Sequence, residues 1–100
     1  MKEELVALMN HNRGIIEVGN KLKRLDSNTD FKSVILDGYM KQHVLSLTSK
    51  LTGIVEDDLK IHSQLAAVTH LANYLEAIHS GFELAVSQNS EIENNLQEDN

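Results

Sequence analysis

Apolar residues recur at steps of three and four along the first 25 positions, as they do on one face of an α-helix. This face begins at Leu5 and ends at Leu25. A run of residues that favour turns and helix caps follows, from Asp26 to Asp30. Because no proline interrupts the chain, the pattern predicts a first helix over residues 2–25.

The same spacing returns twice along the rest of the chain. The stretch from Phe31 to Leu51 predicts a second helix over residues 30–51, and Gly53 follows where a glycine commonly ends a helix. A third and longer stripe runs from Leu59 to Ala85 and predicts a helix over residues 57–86. Its apolar surface is wider than two shorter partner helices need.

Residues 88–100 differ in composition from everything before them. They are mainly Gln, Asn, Ser and acidic residues, with Ile92 and Leu96 as isolated apolar side chains. Such a segment buries too little apolar surface to order itself, so we expect a flexible tail. The sequence therefore predicts an all-α fold. Residues 1–87 form a three-helix bundle, with the first two helices antiparallel on a long third, and a disordered acidic C-terminal tail follows.

Charge is distributed unevenly and narrows the choice of partner. All nine Lys and Arg residues lie at or before Lys60, and the formal net charge is −6. Six acids and no base follow Lys60: Glu76, Glu83, Glu91, Glu93, Glu98 and Asp99. A nucleic-acid partner is not expected, because phosphate binding needs clustered bases.

A membrane partner is not expected either, because no apolar run approaches the roughly 20 residues of a bilayer span. The N-terminus, Met1-Lys2-Glu3-Glu4, lacks the apolar segment of a signal peptide. The chain also contains no cysteine, which fits a reducing compartment or a virion. The default expectation from composition is a cytoplasmic location.

Candidate chemistry is sparse. The histidines His62, His70 and His79 are separated by about 80° and about 180° around a helix, so they do not converge on a metal. The pair Asp57-Asp58 fits the start of a helix better than acid–base catalysis. We expect no catalytic residue, cofactor, metal or small-molecule substrate. A metal-dependent enzyme or carrier remains an alternative if oligomerisation brings histidines together.

The third predicted helix carries the best functional signal. Between Ile61 and Val86 only Glu76 and Glu83 are charged, and depletion of charge is typical of interface cores. We expect a protein partner or self-association here; the alternative is a central helix buried by its own chain. The candidate contact residues are His70, Tyr74, Ile78, His79 and Phe82.

One segment of the second helix, Asp30 to Tyr39, reads DFKSVILDGY. We expect Asp30 to cap the helix, Gly38 to permit a bend or close helix approach, and Tyr39 to place its ring in the core. The side chains expected to seat the segment against the other helices are Phe31, Val34 and Ile35.

These ten residues resemble a segment of small acidic helical proteins of tailed bacteriophages, and the resemblance extends less sharply over residues 15–80. It implies a virion-structural or head-assembly role, in the virion or the host cytoplasm, and no mechanism. We therefore expect a non-enzymatic assembly protein, a head or tail structural or morphogenesis component that docks through a helix face. The alternative is a small regulator or inhibitor of a host enzyme, whose acidic tail mimics nucleic acid.

Overall fold

A computed structural model describes residues 1–98 of the chain. The elements follow in the order α1 (Lys2–Asp26), α2 (Thr29–Phe31), the π-helix π1 (Lys32–Gln42), α3 (His43–Ser49) and α4 (Val55–Glu98). No strand occurs among these described residues, so the prediction of an all-α protein is confirmed.

Contacts divide the described residues into two compact units. Unit one consists of residues 1–23 and 76–98, and unit two consists of residues 24–75. Helix α4 contributes its N-terminal part to unit two and its C-terminal part to unit one. The packing of three helices into a single bundle stays a prediction.

Helix α4 is longer than predicted at both ends. It begins at Val55 rather than at residue 57, and it continues through Gly81 to Glu98 rather than ending at residue 86. Residues 88–98, where a flexible tail was expected, are therefore helical in the structure. Asn89 and Ile92 are buried there, because α1 covers a stretch that looks too polar to order itself. Residues 99 and 100 of the predicted tail lie outside the described part.

In unit one, α1 and the C-terminal part of α4 pack antiparallel. Asn12 contacts Asn89, and Gly19 lies against Phe82. Moving forward by a given number of residues along α1 therefore corresponds to moving back by the same number of residues along α4. The same register places three further pairs at facing levels, and all their members are buried or half-buried: Met9 and Ile92, Ile16 and Ala85, and Leu22 and His79.

The two helices approach closely at Gly19. A Cβ added to Gly19 would lie 2.7 Å from the Cβ of Phe82. The Lys23 ammonium lies 3.9 Å from the centre of the Phe82 ring, within range of a cation–π interaction. The absence of a side chain at Gly19 is what admits the ring.

A buried polar contact crosses the interface at Asn12. Its side-chain amide donates to Asn89 Oδ1 and to Gln88 Oε1, each at 3.1 Å. The Asn89 amide in turn donates to the Met9 carbonyl oxygen at 3.3 Å. Asn12 is 3% exposed and Asn89 is 8% exposed. Because an unpaired buried amide costs about 1–3 kcal/mol, this contact favours one register over its neighbours.

Unit two begins with a helix cap that differs from the predicted one. The side chain of Asn28, not that of Asp30, accepts a hydrogen bond from the Phe31 backbone N–H, at 2.9 Å. Asp30 is the second residue of α2 and lies within its first turn. There its charge still favours the helix N-terminus, but it is not the cap.

The segment π1 is a π-helix, in which each N–H bonds to the carbonyl five residues earlier. The His43 N–H closes it by donating to the Gly38 carbonyl. A π-helix has more than four residues per turn. The half-buried apolar side chains of this stretch recur accordingly at intervals of four to five residues, as Phe31, the pair Ile35 and Leu36, the pair Tyr39 and Met40, and Val44. Val34 is 65% exposed, so its expected role in seating the segment is wrong. The buried apolar side chains of unit two are Leu47 and Val68.

We predict that Gly19→Ala destabilises the protein. The added methyl group collides with Phe82, and overpacking of this kind costs more than the helix propensity gained from alanine, for a net loss of about 1–2 kcal/mol. Gly14→Ala is the matched control, since a Cβ there meets no atom within 4 Å and should stabilise α1 by about 0.5–1 kcal/mol. Urea unfolding followed by circular dichroism measures both. Equal effects of the two substitutions would contradict the proposed contact.

We also predict strong coupling between Asn12 and Asn89. Asn12→Leu leaves buried amides without a partner and should cost about 1–3 kcal/mol. The double variant Asn12→Leu/Asn89→Leu removes both amides and should recover to within about 1 kcal/mol of the parent. Asn20→Ala, at an exposed position of α1, should change stability by less than about 0.5 kcal/mol. Single and double variants that lose the same stability would show that the amides are not coupled.

Candidate interaction surface

A buried carboxylate fixes the N-terminal end of α4. Asp58 is 3% exposed. It accepts hydrogen bonds from the backbone N–H groups of Thr52 and Gly53, each at 2.9 Å, and from the Thr52 hydroxyl at 2.9 Å. Gly53 adopts a φ of 84°, in the left-handed region that suits glycine. These contacts hold the preceding loop against the first turn of the helix.

The same hydrogen bonds lower the pKa of Asp58 below its ordinary value of 3.8. The backbone N–H of Thr52 is the largest cause, and the Thr52 hydroxyl and the Gly53 N–H act in the same direction, whereas burial opposes them. The carboxylate therefore stays ionised while it accepts these bonds. It helps to set where α4 begins.

Eight exposed residues form a continuous line along one side of α4. Successive members alternate steps of four and three residues, which keeps them on one face of a helix. We call this line the exposed stripe; its members are Leu59, Ser63, Ala66, His70, Asn73, Ala77, Ser80 and Leu84. None is charged, and the terminal leucines are 58% and 59% exposed.

The charged side chains of this part of α4 lie beside the exposed stripe rather than on it. Lys60, Glu76 and Glu83 each neighbour a stripe residue in sequence and are rotated from it by about 100°. Tyr74 flanks the stripe and is 64% exposed. This solvent-facing surface shares with interface cores the depletion of charge, and the ring of Tyr74 beside it is of a type enriched at interfaces.

The five predicted contact residues occupy two different environments. His70 belongs to the exposed stripe and Tyr74 flanks it, both within unit two. Ile78, His79 and Phe82 are half-buried in unit one, where Phe82 packs against Gly19. The predicted set thus mixes solvent-facing residues with partly covered ones.

Sequence reasoning missed most of the exposed stripe. The residues that it left out are Leu59, Ser63, Ala66, Asn73, Ala77, Ser80 and Leu84. Small and polar side chains do not indicate an interface when they are considered one at a time. The available signal was their unbroken alternation of four-residue and three-residue steps without a charge.

The DFKSVILDGY segment lies in α2 and π1 of unit two. Phe31 and Ile35 are half-buried. The ring of Tyr39, also half-buried, stacks on His43 with centroids 5.6 Å apart. A Cβ on Gly38 would lie 2.9 Å from the Ser33 carbonyl oxygen. These contacts pack the segment within unit two.

No group of three or more His, Asp or Glu residues within residues 1–98 is arranged to hold a metal ion. A surface groove of about 360 Å³ occurs in unit one and is lined by Arg13, Ile16, Val86, Asn89, Ser90 and Glu93. Arg13 donates hydrogen bonds to Asn10 Oδ1 at 3.0 Å and to the Met9 sulfur at 3.4 Å. One cation, one anion and two apolar side chains favour no single class of ligand.

Among the described residues, no helix is both long and apolar enough to cross a bilayer. Comparison with protein-family models, curated proteins and solved structures finds no match for this chain. The interpretation of the exposed stripe therefore depends on its own geometry and composition.

We predict that Asp58→Asn weakens the start of α4 at pH 7. The amide replaces one acceptor oxygen by a donor, so the bonds to Thr52 and Gly53 cannot all be kept. The urea midpoint should fall, and the Thr52 and Gly53 amide protons should exchange faster with solvent. Asp57→Asn makes the same charge change at an exposed position and serves as the control.

The pH dependence of this difference follows from the lowered pKa. Because folding lowers the pKa of Asp58 below 3.8, the ionised group stabilises the fold above pH 3.8, and this contribution is lost as the pH falls through the folded-state pKa. The gap between the two variants should thus be full at pH 7 and shrink below pH 3.8. Identical midpoints at pH 7 would show that the carboxylate does not hold the loop.

Proposed function

We propose that this chain is a non-enzymatic assembly protein that docks through a helix face, and that it acts as a head or tail structural or morphogenesis component of a tailed-bacteriophage virion. The observation that carries the proposal is the exposed stripe of α4. Protein surfaces in water are usually rich in charge, whereas interface cores are depleted of it.

The size of the exposed stripe suits a helix-face contact. From Leu59 to Leu84 it extends about 38 Å along the helix, at about 1.5 Å per residue. Tyr74 adds an amphipathic ring beside it, and tyrosine is one of the residues that most often dominate binding energy. The docking partner is therefore a protein surface that is itself poor in charge.

The charge distribution favours a protein over a nucleic acid as partner. All of the net charge of −6 arises after Lys60, where acids occur without bases. A phosphate backbone is repelled by such a surface. An uncharged protein surface is not repelled in this way when it docks on the exposed stripe, which carries no charge.

The assignment to a virion is supported by the DFKSVILDGY segment and its resemblance to phage helical proteins. In unit two this segment packs through half-buried Phe31, Ile35 and Tyr39, which is consistent with a structural role. The chain would act on assembling particles in the host cytoplasm and remain with the virion.

The test is co-sedimentation with particles from infected cells, in which the bound chain is quantified by mass spectrometry across a density gradient. Ala66→Glu and Ala77→Glu each place a charge in the middle of the exposed stripe. We expect at least about a tenfold loss of the particle-bound fraction, since burial of one unpaired charge costs well over the 1.4 kcal/mol that corresponds to tenfold.

Ala7→Glu is the matched control, because it makes the same substitution at an exposed position of α1. Its particle-bound fraction should stay within about twofold of the parent. Complete absence of the parent chain from particles would refute the virion assignment. Equal co-sedimentation of all three variants would refute docking through the exposed stripe.

A further inference from the structure

The exposed stripe has the same order of residue types in both directions. Its outermost members are both leucine, the next pair are both serine, and the pair inside these are both alanine. In sequence order the stripe is Leu59, Ser63, Ala66, His70, Asn73, Ala77, Ser80 and Leu84. The steps of four, three, four, three, four, three and four residues are symmetric as well. Only the central pair, His70 and Asn73, differs in type.

A line with this symmetry is complementary to its own reversed copy. A twofold interface requires that if one residue of the first copy contacts another in the second, the reverse contact also forms. We propose that the occupant of the exposed stripe is a second copy of this chain, packed antiparallel along α4 about a twofold axis between Leu71 and Ala72. This deepens the proposed function and rests on it, because it names the partner of the same surface.

Antiparallel pairing produces matched layers along the whole stripe. Leu59 meets Leu84 of the second copy, Ser63 meets Ser80, and Ala66 meets Ala77. At the centre His70 meets Asn73 of the second copy. The twofold axis generates a second, identical pair, in which Asn73 meets His70 of the second copy. Imidazole and amide groups can each donate and accept hydrogen bonds. A parallel pair instead sets His70 against His70, so the central layers favour the antiparallel arrangement, as single polar layers do in coiled coils.

The residues beside the stripe also complement one another in this arrangement. On one flank, Tyr74 lies nearest Ala67 of the second copy, where a small side chain leaves room for the ring. On the other flank, Glu76 lies nearest Thr69 of the second copy. Glu83 lies nearest His62 there, and no acid faces another acid across the axis. All of these side chains are exposed in the structure.

Electrostatics do not oppose the meeting of two copies at the exposed stripe. Each copy carries a formal charge of −6, so approach of like surfaces is opposed wherever acids are concentrated. Between Leu59 and Leu84 the stripe carries no charge. Identical molecules can therefore come together there without like-charge contacts.

The size of the interface predicts a reversible dimer. A contact about 38 Å long and about 10 Å wide covers roughly 400 Å² of each copy. The total of roughly 800 Å² is below the 1,200–2,000 Å² typical of stable complexes. We therefore expect weak, reversible dimerisation rather than a stable complex.

The first experiment is sedimentation equilibrium of the purified full chain from about 5 µM to 1 mM. We expect a monomer–dimer equilibrium, with the dissociation constant raised at least tenfold by Ala66→Glu and changed less than twofold by Ala7→Glu. Circular dichroism checks that each variant keeps its helix content. A parent chain that stays monomeric at 1 mM overturns the proposal.

The second experiment determines orientation and uses the absence of cysteine in the natural chain. Single variants Ala66→Cys and Ala77→Cys are mixed in a glutathione redox buffer and the disulfide-linked products are weighed by mass spectrometry. Antiparallel pairing brings residue 66 of one copy to residue 77 of the other, so the mixed disulfide should exceed each homodisulfide at least tenfold. A statistical mixture, or an excess of homodisulfides, overturns the antiparallel arrangement.

The two proposals fail in different ways. A chain that is monomeric in sedimentation but still co-sediments with particles overturns the dimer and leaves the proposed function intact. A chain that dimerises with the expected orientation but is absent from particles supports the dimer and refutes the virion assignment.

Discussion

The hydrogen bond between the buried amides of Asn12 and Asn89 decides which face of α4 is covered in unit one. A slip of one residue rotates α4 by about 100° relative to α1 and leaves both amides without partners, at a cost comparable to a large part of the stability of a small domain. The packing of Phe82 on Gly19 reinforces the same register. The remaining faces of α4, including the C-terminal part of the exposed stripe, are left to solvent as a result.

Much of the helical structure could be predicted from the sequence, because it follows from local properties. The first helix was predicted to within one residue of its observed end at Asp26, since its apolar spacing is regular and a turn follows at once. The cap of the second helix was predicted at the wrong residue, because Asn28 and Asp30 are both good capping residues. Only the backbone path determines which of the two side chains reaches the Phe31 N–H.

The C-terminal part of α4 could not be predicted, because its burial depends on residues far away in sequence. Asn89 looks like a surface residue until Asn12 is placed opposite it. The π-helix was missed for a different reason. Val34 fits an α-helical stripe, and its exposure follows from the additional residue in each turn of π1. The predicted contact residues on α4 present the same problem. Phe82 looks like an exposed residue in the sequence, but in the structure its ring packs against Gly19.

The shared register of residues 12–19 in α1 and residues 82–89 in α4 has a consequence for evolution. An insertion or deletion in either segment rotates everything beyond it out of the shared interface. It is tolerated only with a compensating change at the facing level of the other helix. These two stretches, about sixty residues apart along the gene, are therefore constrained to change length together.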